Sequence, residues 1–322
     1  MQCRICHNTE NNKIFEAREM MFGFRDKFIY FQCAVCQCLQ IAEIPGDMAK
    51  YYPQNYYSFA SHPTNIKNPI KKLVKNLRNE YAVLKHGLLG KLIYKILPAE
   101  NLHLLSKIKL SKDSAILDVG CGSGTLLYDL KELGFQNLLA IDPYIKEDIK
   151  YHNGLKIIKK SIDEVDGKYD LIMFHHAFEH LSDPLETLRS VTNLLTDNGV
   201  CLIRIPTVSS YAWEHYRENW VQLDAPRHFF LHSTKSLDLL AKKVNLQIEK
   251  IIYDSTAFQF WGSEQYIKDI PLNDHRSYLV NQQYSIFSEP EISNFQKKAK
   301  ELNLKNQGDA CAFFLKKTRR DG

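Results

Sequence analysis

Three groups of residues in this chain have the types and spacing to do chemistry. The first is a pair of thiol knuckles, Cys3-x-x-Cys6 and Cys33-x-x-Cys36. Four thiolates from two such turns make a closed tetrahedral site for Zn²⁺, which is structural because no position stays open for a reactant. His7 and Cys38 stand beside the knuckles and could replace a neighbour. Five of the eight cysteines fall in the first forty residues, and the opening MQCRICHNTE has no apolar signal core. That clustering favours metal over disulfides and a cytoplasmic location.

The second group is the glycine-rich LDVGCGSG, residues 117–124. Gly120, Gly122 and Gly124 let backbone approach a ligand closely. Asp118 precedes the loop. Asp142 lies about twenty residues on, where a carboxylate can accept hydrogen bonds from ribose hydroxyls. No lysine completes a phosphate loop.

The third group is HHAFEH, residues 175–180, with the later WVQLDAPRHFFLHS, residues 220–233. If the first segment turns helically, His176, Glu179 and His180 share one face. Three readings stand side by side: the cluster lines a cofactor pocket, His175 included; one histidine is a general base; or the face binds a divalent cation. The second segment carries Asp224, Arg227, His228 and His232 among aromatics. It is too polar for a core strand and too aromatic for an ordinary solvated loop.

The elements that must position these groups alternate from residue 114 onward. AILDVG, NLLAID, LKIIKK, YDLIMFHH, VCLIRIP, LQIEKIIYD and DACAFFLKK read as seven strands. Helices are expected at TLLYDLKELG, stopped by Gly134, at LETLRSVTNLL and at STKSLDLLAKKVN. Asp183, Pro184 and Glu186 supply a cap, a first-turn proline and a capping-box spacing for the second of these, which ends at a turn in DNG. Repeated β-α-β units call for an α/β fold, a doubly wound, mostly parallel sheet. The glycine loop, HHAFEH and the 220–233 segment then share its carboxyl edge, where ligands bind in open sheets.

LDVGCGSG, Asp142 and YDLIMFHHAFEHLSDP together resemble the class I S-adenosylmethionine-dependent methyltransferases, over roughly residues 102–322. The resemblance implies that the glycine loop and Asp118 cradle the methionine and ribose part, that Asp142 binds the ribose, and that Ser161 and Ile162 meet the adenine. It implies a reversed seventh strand beside the fifth. HHAFEH is similar to the Glu-x-x-Glu-His cluster of ubiquinone-pathway and small-RNA 2′-O-methyltransferases, which bind magnesium. His176 replaces the first glutamate here, which would favour zinc or manganese. The matching position in the second segment is His228, as base or as a further ligand of a cation held with His176, Glu179 and His180. Asp224 would orient it.

The chain reads as a zinc-binding ribbon at 1–45, a tyrosine-rich connector and basic helices at 46–110, and a methyltransferase domain at 111–322 with substrate-side insertions at 207–233 and 254–307. A zinc knuckle ahead of such a domain, with a YYPxxYY-like connector at Tyr51–Tyr57, resembles bacterial sugar and glycan methyltransferases. That implies methyl transfer to a hydroxyl of a nucleotide-linked sugar or a surface glycan precursor. Trp220 and Trp261, with Phe229 and Phe230, would stack on sugar faces, and Arg227 would meet a diphosphate. An RNA methyltransferase that holds RNA on the zinc module and basic helices is the alternative. The excess of only five cations, 42 against 37, weighs against nucleic acid. A non-catalytic cofactor-binding or zinc-mediated interaction protein is the third reading. The chain has no run of about 18 apolar residues, so no membrane span is expected. The lysines of residues 66–110 would be either a solvated face or a surface for anionic partners, lipid headgroups among them.

Overall fold

The computed structural model describes residues 1–53, 66, 68–99 and 102–318. Residues 54–65, most of the tyrosine-rich connector, and Lys67, the first lysine of the basic segment, lie outside the described residues. In chain order the strands are β1 (Lys13–Arg18), β2 (Lys27–Gln32), β3 (Leu39–Ile41), β4 (Ile116–Val119), β5 (Leu138–Ile141), β6 (Ile149–Lys150), β7 (Lys156–Ile158), β8 (Tyr169–His175), β9 (Leu195–Pro206), β10 (Phe230–Leu231), β11 (Leu246–Tyr253) and β12 (Ala310–Lys317). The helices are α1 (Pro69–Leu84), α2 (Leu88–Ile96), α3 (Thr125–Glu132), α4 (Pro184–Leu194), α5 (Tyr211–Tyr216), α6 (Thr234–Lys243), α7 (Phe258–Ile267) and α8 (Glu289–Leu304).

Among the described residues, eight strands are hydrogen-bonded in the order β11-β12-β9-β8-β4-β5-β7-β6. All seven expected strands are present, and β12 lies between β11 and β9. The eighth is the two-residue edge strand β6, antiparallel to β7. Two residues carry no alternation to read. β9 also begins earlier than expected and contains DNG rather than following a turn there. Gly199 explains this: a Cβ would stand 2.9 Å from the carbonyl oxygen of Tyr169. The glycine allows a close approach of strands, not a reversal.

The chain divides into two compact units. One comprises Pro53–Ala177, Arg189–Ile203 and Leu315–Gly322. Its β4, β5, β7 and β8 are parallel neighbours, with Asp118 in register with Ala140 and Met173. β4 is buried along its whole length. Burial on both faces is why ILDV reads as a continuous run and not as an alternation. Gly124, at φ +68°, hands β4 over to α3, and Gly134, at φ +90°, follows its end.

The other unit comprises Met1–Tyr52, Phe178–Leu188 and Arg204–Phe314. This cuts across the expected boundaries at 45 and 110. The hairpin β1–β2 pairs Lys13 with Gln32 through Arg18 with Lys27. β3 adds to β2, and β10, from the 220–233 segment, adds to β3 with Phe230 opposite Gln40. Tyr30 donates a hydrogen bond to the His228 carbonyl, Ser233 to that of Cys36 and Lys243 to that of Ile5. The cysteine-rich segment is therefore built into a sheet with a segment almost two hundred residues away in sequence.

Candidate active site

The glycine loop closes tightly on its own unit. Gly120 lies at φ +69°, and a Cβ there would sit 2.6 Å from the Ala177 Cβ, so only glycine passes. The Asp142 carboxylate accepts hydrogen bonds from the N–H of Gly122 at 2.8 Å and of Tyr144 at 2.8 Å. Each oxygen keeps a second lone pair. Asp118, on β4, is buried, and its Oδ1 has no hydrogen-bond partner among the described residues. Burial, then the nearby Asp142, pushes its carboxyl up to about 8. Ser161 caps the turn Ile162–Glu164: its N–H and hydroxyl both donate to the Glu164 carboxylate. That commits the Ser161 donors locally and leaves the buried Ile162 as the apolar contact.

This loop fits the cofactor that the sequence suggests. A cationic amino group would satisfy the unpartnered Asp118 oxygen, and the remaining lone pairs of Asp142 would suit ribose hydroxyls.

The second constellation lies within the other unit. Glu179 and His180 sit on a short 3₁₀ turn, Phe178–His180. The Phe229 N–H donates to the Glu179 carbonyl at 2.9 Å, which ties that turn to the loop carrying His228. His228 Nδ1 is 2.7 Å from the Gln222 carbonyl oxygen, and His180 Nδ1 is 2.8 Å from that of Arg227. A carbonyl only accepts, so both rings donate from Nδ1. The Tyr52 hydroxyl oxygen, 3.2 Å away, shares the His180 Nδ1 proton. His228 Nε2 lies 3.9 Å from a Glu179 carboxylate oxygen and 3.8 Å from Asp224. Burial, then His180, pulls the His228 imidazole down to about 4, so it is neutral at pH 7.

One ligand atom from each of Glu179, His180 and His228 falls within 4.8 Å of the others. Two imidazoles and a buried carboxylate can take up a proton or hold a divalent cation. Ring N–H groups donated to carbonyls are the usual support of metal-ligating histidines.

Several expected site residues are placed elsewhere. His176 does not join this group: its backbone is left-handed, at φ 52°, so no helical face forms through it. His175 ends β8 half-buried. Arg227 is fully buried and forked onto Asp224, at 2.6 and 3.0 Å, with a further bond to Glu19 at 2.9 Å. Its remaining nitrogen donates to the Tyr51 carbonyl. Although burial opposes the charge, Asp224 and Glu19 hold the guanidinium well above its ordinary value. Four of its five N–H donors are committed and the side chain is fully buried, so it is not open to a diphosphate. Burial raises the Asp224 carboxyl, but Arg227 outweighs it and holds it below the usual carboxylate range.

Trp220 is also fully buried, its indole N–H on Asp309 at 2.9 Å. Trp261 packs against Phe258 and Tyr278. Both are core residues, not stacking platforms. His232 is buried with Nδ1 on the Ser236 hydroxyl, within the first turn of α6.

The four knuckle cysteines converge. Cys3 and Cys36 sulfurs are 3.5 Å apart, and Cys6 and Cys33 sulfurs 3.4 Å. Both exceed the ~2.05 Å of a disulfide and approach the ~3.8 Å edge of a tetrahedron with ~2.3 Å zinc–sulfur bonds. Backbone N–H groups of Ile5, Val35 and Cys36 and the Gln40 amide donate to these sulfurs, as thiolates require. Cys38 lies outside the four-sulfur group, against His232.

Two features escaped sequence reasoning. Glu19 is the buried partner of Arg227, and nothing near it in sequence signals that. A cavity of about 710 Å³ in the same unit is lined by the amides of Asn11, Gln32, Gln37 and Gln307 and the hydroxyls of Ser210 and Tyr211. These positions come from three distant stretches and share no motif.

The comparisons with known proteins agree with the glycine loop. A family model described as a methyltransferase domain matches residues 92–251. The ubiquinone biosynthesis O-methyltransferase of Rickettsia bellii is 26% identical over 205 residues, 58% of this chain and 83% of that protein. The ribosomal protein L11 methyltransferase of Thermosipho africanus is 28% identical over 181 residues, 48% of this chain and 68% of that one. Among solved structures, the cyclopropane synthase MmaA2 of Mycobacterium tuberculosis aligns with a TM-score of 0.42 and 14% identity, over 75% of this chain and 93% of that one. The chain carries a class I S-adenosylmethionine-dependent methyltransferase domain and is a methyltransferase.

Proposed function

We propose that the protein methylates a hydroxyl oxygen of a sugar, free or nucleotide-linked. The observation that carries the reading is the neutral His228 imidazole, with Nδ1 on the Gln222 carbonyl and Nε2 beside the buried Glu179, and His180 in the same group. A sugar hydroxyl must lose its proton as it forms the ether bond, so it needs a base far more than an amine would. When bound, S-adenosylmethionine supplies an activated methyl group on a sulfonium. His228 Nε2 accepts the hydroxyl proton, and Glu179 then stabilises the imidazolium. Gln222 holds the ring in the required tautomer through Nδ1.

The O-methyltransferase named among the relatives supports oxygen as the acceptor atom. The four cysteines would hold a structural zinc ion.

A second reading places a divalent cation on Glu179, His180 and His228. It is favoured by both Nδ1–H groups resting on backbone carbonyls. The ion would lower the pKa of the acceptor hydroxyl.

Incubation with labelled S-adenosylmethionine and a panel of nucleotide sugars, with products identified by mass, tests the reading. A methylated sugar is expected, and His228→Ala should bind cofactor normally while turnover falls about a hundredfold or more. Label found in RNA with sugars unlabelled would overturn the proposal. Activity lost to a chelator and restored by manganese or zinc would select the cation reading.

A further inference from the structure

Residues 69–97 carry a feature that the methyl-transfer site does not use. On α2, Leu88, Leu92 and Ile96 are 83%, 59% and 79% exposed, and Leu89 is exposed beside them. At 100° per residue these four side chains span a single arc of about 100°. Lys91 and Lys95 border that arc on one side. The opposite side is fixed to α1: Gly90 is buried, and a Cβ there would stand 2.4 Å from the Leu77 carbonyl oxygen. This close approach turns the apolar arc away from α1. Ile70 and Leu73, near the start of α1, are exposed as well.

Isolated exposed leucines are ordinary; a contiguous stripe of them is not. The charges beside the stripe are of one sign. α2 has no acidic residue, and the only acid of α1, Glu80, is paired with Lys112. Lys72 and Lys75 are neutralised by Glu132 and Asp129. Among the described residues, Lys71, Lys91 and Lys95 have no carboxylate partner.

We infer that α2 is an interfacial anchor that lays its apolar arc into the surface of a bilayer rich in anionic lipids. Three observations select this occupant. The nine residues of α2 span about 14 Å, too short to cross a bilayer but suited to lying in its interface. No helix among the described residues is long and apolar enough to cross. A second copy of the chain packed antiparallel, arc to arc, about a two-fold axis would bring Lys91 and Lys95 against the same lysines of the other copy. Phosphate headgroups complement those ammonium groups, each adding to attraction at the membrane surface. The proposal does not depend on which acceptor is methylated.

Co-sedimentation of the full chain with vesicles tests it. Binding is expected to phosphatidylglycerol vesicles and to be much weaker with phosphatidylcholine alone, and to fall as salt rises. Lys91→Glu with Lys95→Glu should weaken it about tenfold or more. Leu92→Asp with Ile96→Asp should abolish it, while cofactor binding and thermal melting stay as in the parent. Parent protein that stays in the supernatant at low salt overturns the proposal. So does equal pelleting of the aspartate variant, or a parent dimer that this variant turns into a monomer.

Discussion

His228 and His232 are both buried, and burial above all holds each imidazole at about 4 instead of the ordinary 6.5. The folded protein keeps them neutral, whereas the unfolded chain protonates them below about 6.5. Between those values the unfolded state binds more protons, so stability is present above pH 6.5 and is lost as pH falls toward 4. Each ring contributes up to about 3 kcal/mol. Denaturant unfolding across this range should show that loss, and His232→Gln should remove about one proton from the slope. An unchanged slope would place His232 in contact with water. Asp118 runs the other way. Its carboxyl is raised from 3.8 to about 8, so its contribution is complete below 3.8 and is lost as pH rises through 8. Asp118→Asn mimics the protonated form. It should flatten that part of the profile while weakening cofactor binding tenfold to about a hundredfold, since a charge-assisted hydrogen bond is lost. Calorimetric titration with S-adenosylmethionine reads the second effect directly.

At the scale of the element, the loop around Asp224–His228 shows what residue types alone do not reveal. By residue type Arg227 suits a diphosphate, since a guanidinium forks onto phosphate oxygens. Its real partners are Asp224, three residues away, and Glu19, which also accepts from the N–H groups of Met21, Phe22 and Phe24. The guanidinium thereby joins the turn after β1 to the loop that presents His228. Removing one member of a buried network leaves the others unpaired, at a cost of about 3–5 kcal/mol. Arg227→Ala should lower the urea midpoint accordingly and loosen His228. A surface role would leave the midpoint untouched and change only the Michaelis constant. Trp220 follows the same logic, since its indole N–H needed a buried acceptor and found Asp309. Parallel strands such as ILDV and YDLIMF, by contrast, were legible because burial on both faces writes itself as an apolar run. The four-cysteine group was legible because its spacing is local to each knuckle, and Asp142 because it ends a strand at a fixed distance from the glycine loop. Glu19 and the cavity amides have no such local signature.

At the scale of the whole molecule, the zinc-ribbon boundary at residue 45 is where sequence reasoning and structure part. β3 and β10 are three and two residues long, and no pattern of that length announces a pairing. Yet this pairing makes residues 1–52 and 204–314 one compact unit. A detachable module would leave the rest of the chain folded when removed. Here its removal would expose the β10 edge, uncover Phe230 and leave Arg227 without Glu19. A chain starting at residue 46 should therefore keep hydrogen-exchange protection in β4, β5 and β8, whose parallel pairing lies within the other unit. It should lose protection across α5 to α7, and His228-dependent turnover with it. Cofactor affinity would then outlast activity, since Asp118 and Asp142 lie outside the damaged unit. Full protection of residues 204–314 in the truncated chain would show instead that the cysteine segment is an appendage, and the β3–β10 pairing dispensable.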